Sequence, residues 1–401
     1  MEVASFLGKY NDLMCYKNKE PYNSLPVIFY AVIFVYIEYD MFVALAIEPK
    51  TLENTVLTVL DAVMISILFC YSVIRNINNA DVRNLMDLVE GEFPFNRRDM
   101  VLANRLALLE EIEQFYESKR KYMRSMANNL ACIFFVYGFL VNNRNVFNYL
   151  TGIINNDDSN VWPTPYVSHC PSLLRSPVFF LYTYFLHTIL MSIFMMEALF
   201  VIMLVFLSTE TIISDFGTLH ILLGHLTNNY PDLIKQNCIA QSSSLRKDMS
   251  RIIQFHQTMI KNFEVCIKGS GLMISVVNLV IMLYCCSIAY LMLTTTDLKK
   301  RLNFAMSFLL VTLTIFSIYQ NGQRIYNQND ILRQNLAELP WTDKPQWFKQ
   351  CLLMMMTRAN IDMKMSPYRI YNLNYVSFKD WVKFVFSTGN ILYTKKLSSQ
   401  A

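Results

Sequence analysis

Few residues in this chain could do chemistry, and their spacing argues against most of it. The five histidines are His169, His187, His220, His225 and His256. His220 and His225 are five residues apart, so they miss the i, i+4 spacing of a helical zinc site, and no cysteine joins them at ligand distance. No P-loop, GxGxxG, GxSxG or HExxH run occurs. Neither an enzyme, a metal nor a cofactor is expected. More informative are the ionisable residues embedded in apolar sequence: Glu38, Asp40, Asp61, Glu197 and His187. Such residues mark function by default when a bilayer surrounds them. The plainer reading is a hydrogen-bonded packing residue.

The elements that must position these residues are long apolar helices. Hydrophobic types make up 54% of the 401 residues and charged types 16%, against about 25% charged in soluble domains. A bilayer core takes about 20 apolar residues in helix. Six stretches qualify: Leu25–Ile47, Thr55–Ile74, Ser125–Val141, Pro177–Leu207, Gly271–Leu293 and Phe304–Ile325. A seventh, Tyr375–Thr394, is interrupted by Lys379, Asp380 and Lys383. The expected fold is therefore all-α and integral to the membrane, with seven transmembrane helices.

Basic residues set the orientation. The side holding the N-terminus carries 25 Lys and Arg and the opposite side 8, with two more inside the seventh span. This places the N-terminus in the cytosol and the C-terminus outside, the reverse of a G-protein-coupled receptor. Of nine cysteines only Cys170 falls in an outward loop, so no extracellular disulfide is expected. A net charge of +4, dispersed between apolar blocks, gives no nucleic-acid footprint.

Between spans, apolar spacing predicts amphipathic helices over Asp81–Glu90 and Met100–Lys121, broken at Gly91–Pro94, and over Leu245–Lys268. The transmembrane helices are thus expected to extend into a cytosolic helical base. The chain divides into a cytosolic segment 1–24, spans one to four over 25–207 (with connector 75–124 and outward loop 142–176), a connector 208–269, spans five and six over 270–325, anchor helices 326–373, and a last span with the C-terminus over 374–401. The loop 142–176 carries Trp162, Pro163, Pro165 and Pro171 and reads as a plain capping loop, with a lid over a pocket as the alternative.

The C-terminal third is the most distinctive. The sixth span ends Tyr319-Gln320-Asn321-Gly322-Gln323; Leu339-Pro340-Trp341 and Pro345 follow, then Cys351-Leu352-Leu353-Met354-Met355-Met356-Thr357-Arg358, and a last span close to the C-terminus. With Ile252–Phe263 and the inverted topology, this resembles the insect odorant receptors. Ser387-Thr388-Gly389-Asn390 stands where related gustatory receptors carry a Thr-Tyr…Gln-Phe signature. Gly389-Asn390 also departs from the family's usual aromatic pair. The length and the short connector before the fifth span resemble an odorant-tuning subunit rather than the shared co-receptor.

The resemblance implies an odorant-gated, non-selective cation channel subunit in the plasma membrane of olfactory sensory neurons, assembled with the co-receptor as a heterotetramer. It implies a volatile ligand held in the outer half of the bundle, with Met64, Phe134, Tyr137, Gly138, Tyr184, His187, Met191, Tyr284 and Phe308 as candidates. It implies a pore along the last span, with Leu392 at a constriction and Thr388, Ile391 and Lys395 beside it, and a subunit anchor containing Trp341 and Arg358. A gustatory-type channel is the nearest alternative. A G-protein-coupled receptor lacks support because no DRY-like or NPxxY motif occurs, and a transporter because no internal repeat is visible.

Overall fold

The computed structural model describes residues 2–14, 25–47, 52–77, 79–91, 105–154, 177–230 and 239–398. Among the described residues ten α-helices follow in order: α1 Glu2–Met14, α2 Leu25–Ile47, α3 Leu52–Ile77, α4 Asn79–Glu90, α5 Leu106–Ile154, α6 Pro177–Asn229, α7 Ile239–Thr294, α8 Leu298–Glu338, α9 Gln346–Ala359 and α10 Tyr375–Ser398. A 3-10 turn, Pro367–Arg369, joins the last two, and no strand occurs among the described residues. Each of the seven expected spans lies within one helix. The cap residues Trp162, Pro163, Pro165 and Pro171 lie outside the described residues.

The helix faces show why a bilayer is required. On α2, Tyr30, Ile33, Ile37, Met41 and Ala44 are buried, while Ile28, Phe29, Val32, Val35 and Phe42 are exposed. A helix apolar on every side needs an apolar solvent. The same holds for Ile133, Phe135 and Val136 on α5, Val178, Leu181 and Phe185 on α6, and Leu302, Met306, Leu309 and Leu313 on α8. Among the described residues, five helical segments are long and apolar enough to cross a membrane: Val27–Ile47, Thr55–Asn76, Leu181–Asn229, Ser242–Thr294 and Leu298–Glu338. The third and seventh expected spans lie in α5 and α10, where polar interruptions are denser.

Helices α5 to α8 have 49, 53, 56 and 41 residues. At about 1.5 Å per residue they run roughly 60–85 Å, two to three times the hydrocarbon core. They therefore continue beyond the bilayer as one shared base. Helix α6 is its axis, buried almost continuously from Leu199 to Phe216. A polar ladder fixes α6 against the parallel α8. Asn321 donates to Thr209 Oγ1 at 3.1 Å, Arg324 pairs with the buried Glu210, and His220 lies 3.2 Å from Gln328 and 2.9 Å from Asn335. These contacts run in the same order along both helices, so sliding one against the other would break all of them.

At the upper end of the base, α1, α3 and α6 meet around one ion pair. Arg75 Nη1 and Nη2 each donate to Glu197 at 2.9 Å, and Ser72 Oγ donates to the same carboxylate at 2.8 Å. Both side chains are fully buried. The guanidinium lies 4.9 Å from the Phe200 ring, 5.7 Å from Tyr71 and 5.9 Å from Tyr10. Tyr10 belongs to α1, which is also held by a buried Asn11–Asn79 hydrogen bond of 3.1 Å.

Removing one partner of a buried pair strands the other charge at a cost of about 3–5 kcal/mol, whereas replacing both with apolar residues is often neutral. Arg75→Met or Glu197→Gln alone should therefore sharply lower the thermal midpoint of detergent-extracted protein. The double variant R75M/E197L should recover most of the loss. Singles that melt with the wild type would contradict this reading.

Candidate functional site

Helices α5 and α6 cross with a gap between them. The cavity measures about 250 Å³ and is lined by Phe134, Phe135, Gly138, Met191, Ser192, Met195, Met196 and Leu199. Glycine at position 138 is what brings the helices this close. A Cβ there would meet Met195 Cγ at 3.3 Å, so any side chain would push into the space. Three thioethers and two phenyl rings make the lining soft and polarizable, suited to irregular apolar guests. The one hydroxyl, on Ser192, already donates to Thr188 O at 2.8 Å. The cavity therefore offers dispersion and burial and almost no hydrogen-bond demand. Phe135 and Ser192 are exposed at its rim, so it opens sideways toward the surrounding lipid.

Of the nine expected ligand residues, the structure brings Phe134, Gly138 and Met191 to this one cavity. His187 lies one turn further toward the Pro177 end of α6, fully buried, with Nε2 at 3.8 Å from Asp40 Oδ2 on α2. Tyr184 is half-buried on the same helix, and Met64 is half-buried on α3. Tyr284 and Phe308 sit in a separate cluster of α7 and α8 with Ile288, Leu291 and Phe304. Phe308 also meets Phe386 of α10, with ring centroids 5.5 Å apart. The side chain of Tyr137 lies outside the described residues. Three of the four embedded carboxylates meet named neighbours: Glu38 accepts from Ser66 at 3.0 Å, Asp40 faces His187, and Glu197 holds Arg75.

Sequence reading missed Arg75, Met195, Met196 and Leu199. Arg75 follows the second span directly, and an arginine there matched by a lone Glu197 in the fourth span was the available signal. Met195, Met196 and Leu199 read as ordinary core until Gly138 is seen opposite them. Leu199 lies two residues past Glu197, so the cavity ends at the level of the Arg75–Glu197 pair but on another face of α6.

The last helix presents two faces. Trp381 and Val385 are buried against the bundle, and a Cβ on Gly389 would lie 3.1 Å from Ala289 on α7. Ile391 and Leu392 are exposed, at 65% and 43%, and Lys395 is exposed as well. Thr388, one turn before Leu392 on the same side of the helix, is half-buried and reaches the Cys286 thiol on α7. Below α10, Gly322 of α8 is the only residue type that fits, because a Cβ there would fall 2.4 Å from Leu373 O. Trp341 is half-exposed under Lys349 at 5.8 Å, and Arg358 reaches Glu264 of α7 at 4.0 Å. In the same region Asp362 binds Lys364 and Arg333, and the Lys364 hydrogen bond holds its carboxyl below the usual carboxylate range.

Filling the cavity should remove its capacity without disturbing the fold. Gly138→Leu, whose side chain enters the gap and displaces only the flexible Met195, should weaken the response to an apolar ligand at least tenfold, or about 1.4 kcal/mol, at unchanged surface expression. A dose–response series checks it, and an unshifted curve would remove the cavity from consideration.

Comparison with known proteins agrees with this architecture. The solved olfactory receptor OR5 of the insect Machilis hrabei, in complex with eugenol, superposes with a TM-score of 0.71 over 98% of this chain and 97% of that one, at 10% identity. A second structure of OR5 from Machilis hrabei superposes with a TM-score of 0.65, over 98% of this chain and 96% of that one, at 11% identity. No curated sequence matches the chain. The family model described as 7tm odorant receptor matches residues 95–386, which take in the cavity and the first half of α10, and the chain therefore belongs to the odorant receptor family.

Proposed function

We propose that this chain is an odorant-tuning subunit that binds a small apolar volatile between α5 and α6 and thereby opens a cation path along α10. The observation that carries this is the cavity itself: an apolar space, poor in hydrogen-bond demand, where Phe134, Gly138 and Met191 converge. Burial at about 25 cal/mol per Å² gives a ligand with roughly 200–300 Å² of apolar surface about 5–7 kcal/mol before association costs.

The chain is oriented with α1 in the cytosol and the end of α10 outside, as the basic-residue bias requires. The polar ladder and α9 then form the cytosolic anchor of a heterotetramer with the co-receptor, with Trp341 and Arg358 in that region. The cavity lies roughly 20–33 Å along α6 from Pro177, at about 1.5 Å per residue. Phe134 and Gly138 lie past the midpoint of the span Ser125–Val141 toward its outer end, and Met191 lies at the midpoint of Pro177–Leu207, with His187 and Tyr184 above it.

Gating needs the ligand to bind the open state more tightly than the closed one; occupancy alone shifts nothing. A contiguous route exists for that bias. Met196 and Leu199 line the cavity, and α6 continues into Thr209 and Glu210, which grip Asn321 and Arg324 of α8. Gly322 between them seats Leu373, two residues before α10 begins.

The test is whole-cell recording of this chain with and without an insect co-receptor during a panel of apolar volatiles. Fast inward cation current only with the co-receptor is expected. A response carried by a G-protein second messenger, with confirmed surface expression, would overturn the proposal.

A further inference from the structure

The exposed face of α10 is not uniformly apolar. Lys379, Lys383, Ser387, Asn390 and Thr394 follow one another at intervals of four, four, three and four residues. At 100° per residue they fall within an arc of about 80°. All five are exposed. The stripe lies opposite the face made by Trp381, Val385 and Gly389, which packs on the bundle. Flanking it are exposed apolar groups: Phe384 at 51%, Phe386 at 56% and Ile391 at 65%. Two ammonium groups and three neutral polar side chains in one line are disfavoured against hydrocarbon. The stripe must therefore face water, while its flanks meet apolar neighbours.

Along the stripe the charge is concentrated at one end. Lys379 and Lys383 occupy the second and third turns, near the Tyr375 end, which packs on Phe316 and Gln323 of α8. Ser387, Asn390 and Thr394 carry no charge. Among the described residues neither lysine forms an ion pair. Asp380 is the one carboxylate close by on the helix, at the edge of the stripe, so this end stays net positive. Repulsion of a permeating ion scales with its charge, and a divalent cation feels twice what a monovalent one feels. Within a Debye length of about 8 Å, salt screens little of this.

We infer that Lys379 and Lys383 form a cationic inner mouth that selects monovalent over divalent cations in pores containing this chain. The inference rests on the reading of α10 as a pore helix. It is tested by bi-ionic reversal potentials in cells expressing this chain with a co-receptor, comparing wild type with K379Q/K383Q. Neutralisation should raise the calcium-to-sodium permeability ratio by about threefold. Ser387→Cys separates the two readings. If a water-soluble thiol reagent blocks current through Ser387→Cys while K379Q/K383Q leaves the ratio unchanged, the selectivity inference is overturned and the pore helix stands. If the reagent is without effect there and at Asn390→Cys, α10 does not face the path and the inference falls with it. Should K379Q/K383Q fail to reach the surface, K383Q alone is measured, with a proportionately smaller rise expected and an unchanged ratio again decisive.

Discussion

The buried pair of Arg75 and Glu197 is the contact on which the architecture turns. Neither charge could sit alone among Tyr10, Tyr71 and Phe200, so α3 and α6 can pack only in the register that joins them. That register sets where α1 docks, through Tyr10 and Asn11. It also divides α6 in two. Toward Pro177 the helix is clad in lipid-facing residues such as Leu181 and Phe185, and toward Asn229 it is the buried axis of the base.

A second consequence follows from helix length. Because α6 and α8 pass straight from the membrane region into the base, a displacement near the cavity is carried by rigid helix to the polar ladder. Thr209–Asn321 and Glu210–Arg324 then bracket Gly322, the point where the segment leading to α10 comes closest. Apolar contacts alone would let helices slide; hydrogen bonds of fixed spacing do not. The same division of labour separates the ends of α10. Its inner face is tied down by Trp381, Val385 and Gly389, and its outer face is left with a polar line that only water or a partner can satisfy.

Much of this was legible in the sequence. Apolar runs of about 20 residues located the spans, and the helical spacing of Val82, Leu85 and Leu245 to Lys268 foretold helices continuing into a base. What could not be read was anything that depends on which residues meet. Glu197 was visible as an embedded carboxylate, but its partner lay 122 positions away and just outside the second apolar run. Phe134, Gly138 and Met191 were legible as pocket-forming types, yet so were Tyr284 and Phe308, which the fold places in another cluster. The stripe on α10 was present as a spacing. It gained meaning only when Trp381 and Gly389 fixed the opposite side as buried.

The most direct test of the account is to occupy the cavity permanently. A cysteine introduced at Met195 would be reacted with a small thiol-reactive aromatic ligand, in cells that also express the co-receptor, while current is recorded. The account predicts sustained cation current after washout in Met195→Cys and only transient current in the wild type. Complete labelling of Met195→Cys with no sustained current would show that filling this cavity does not open the channel, and would contradict the account.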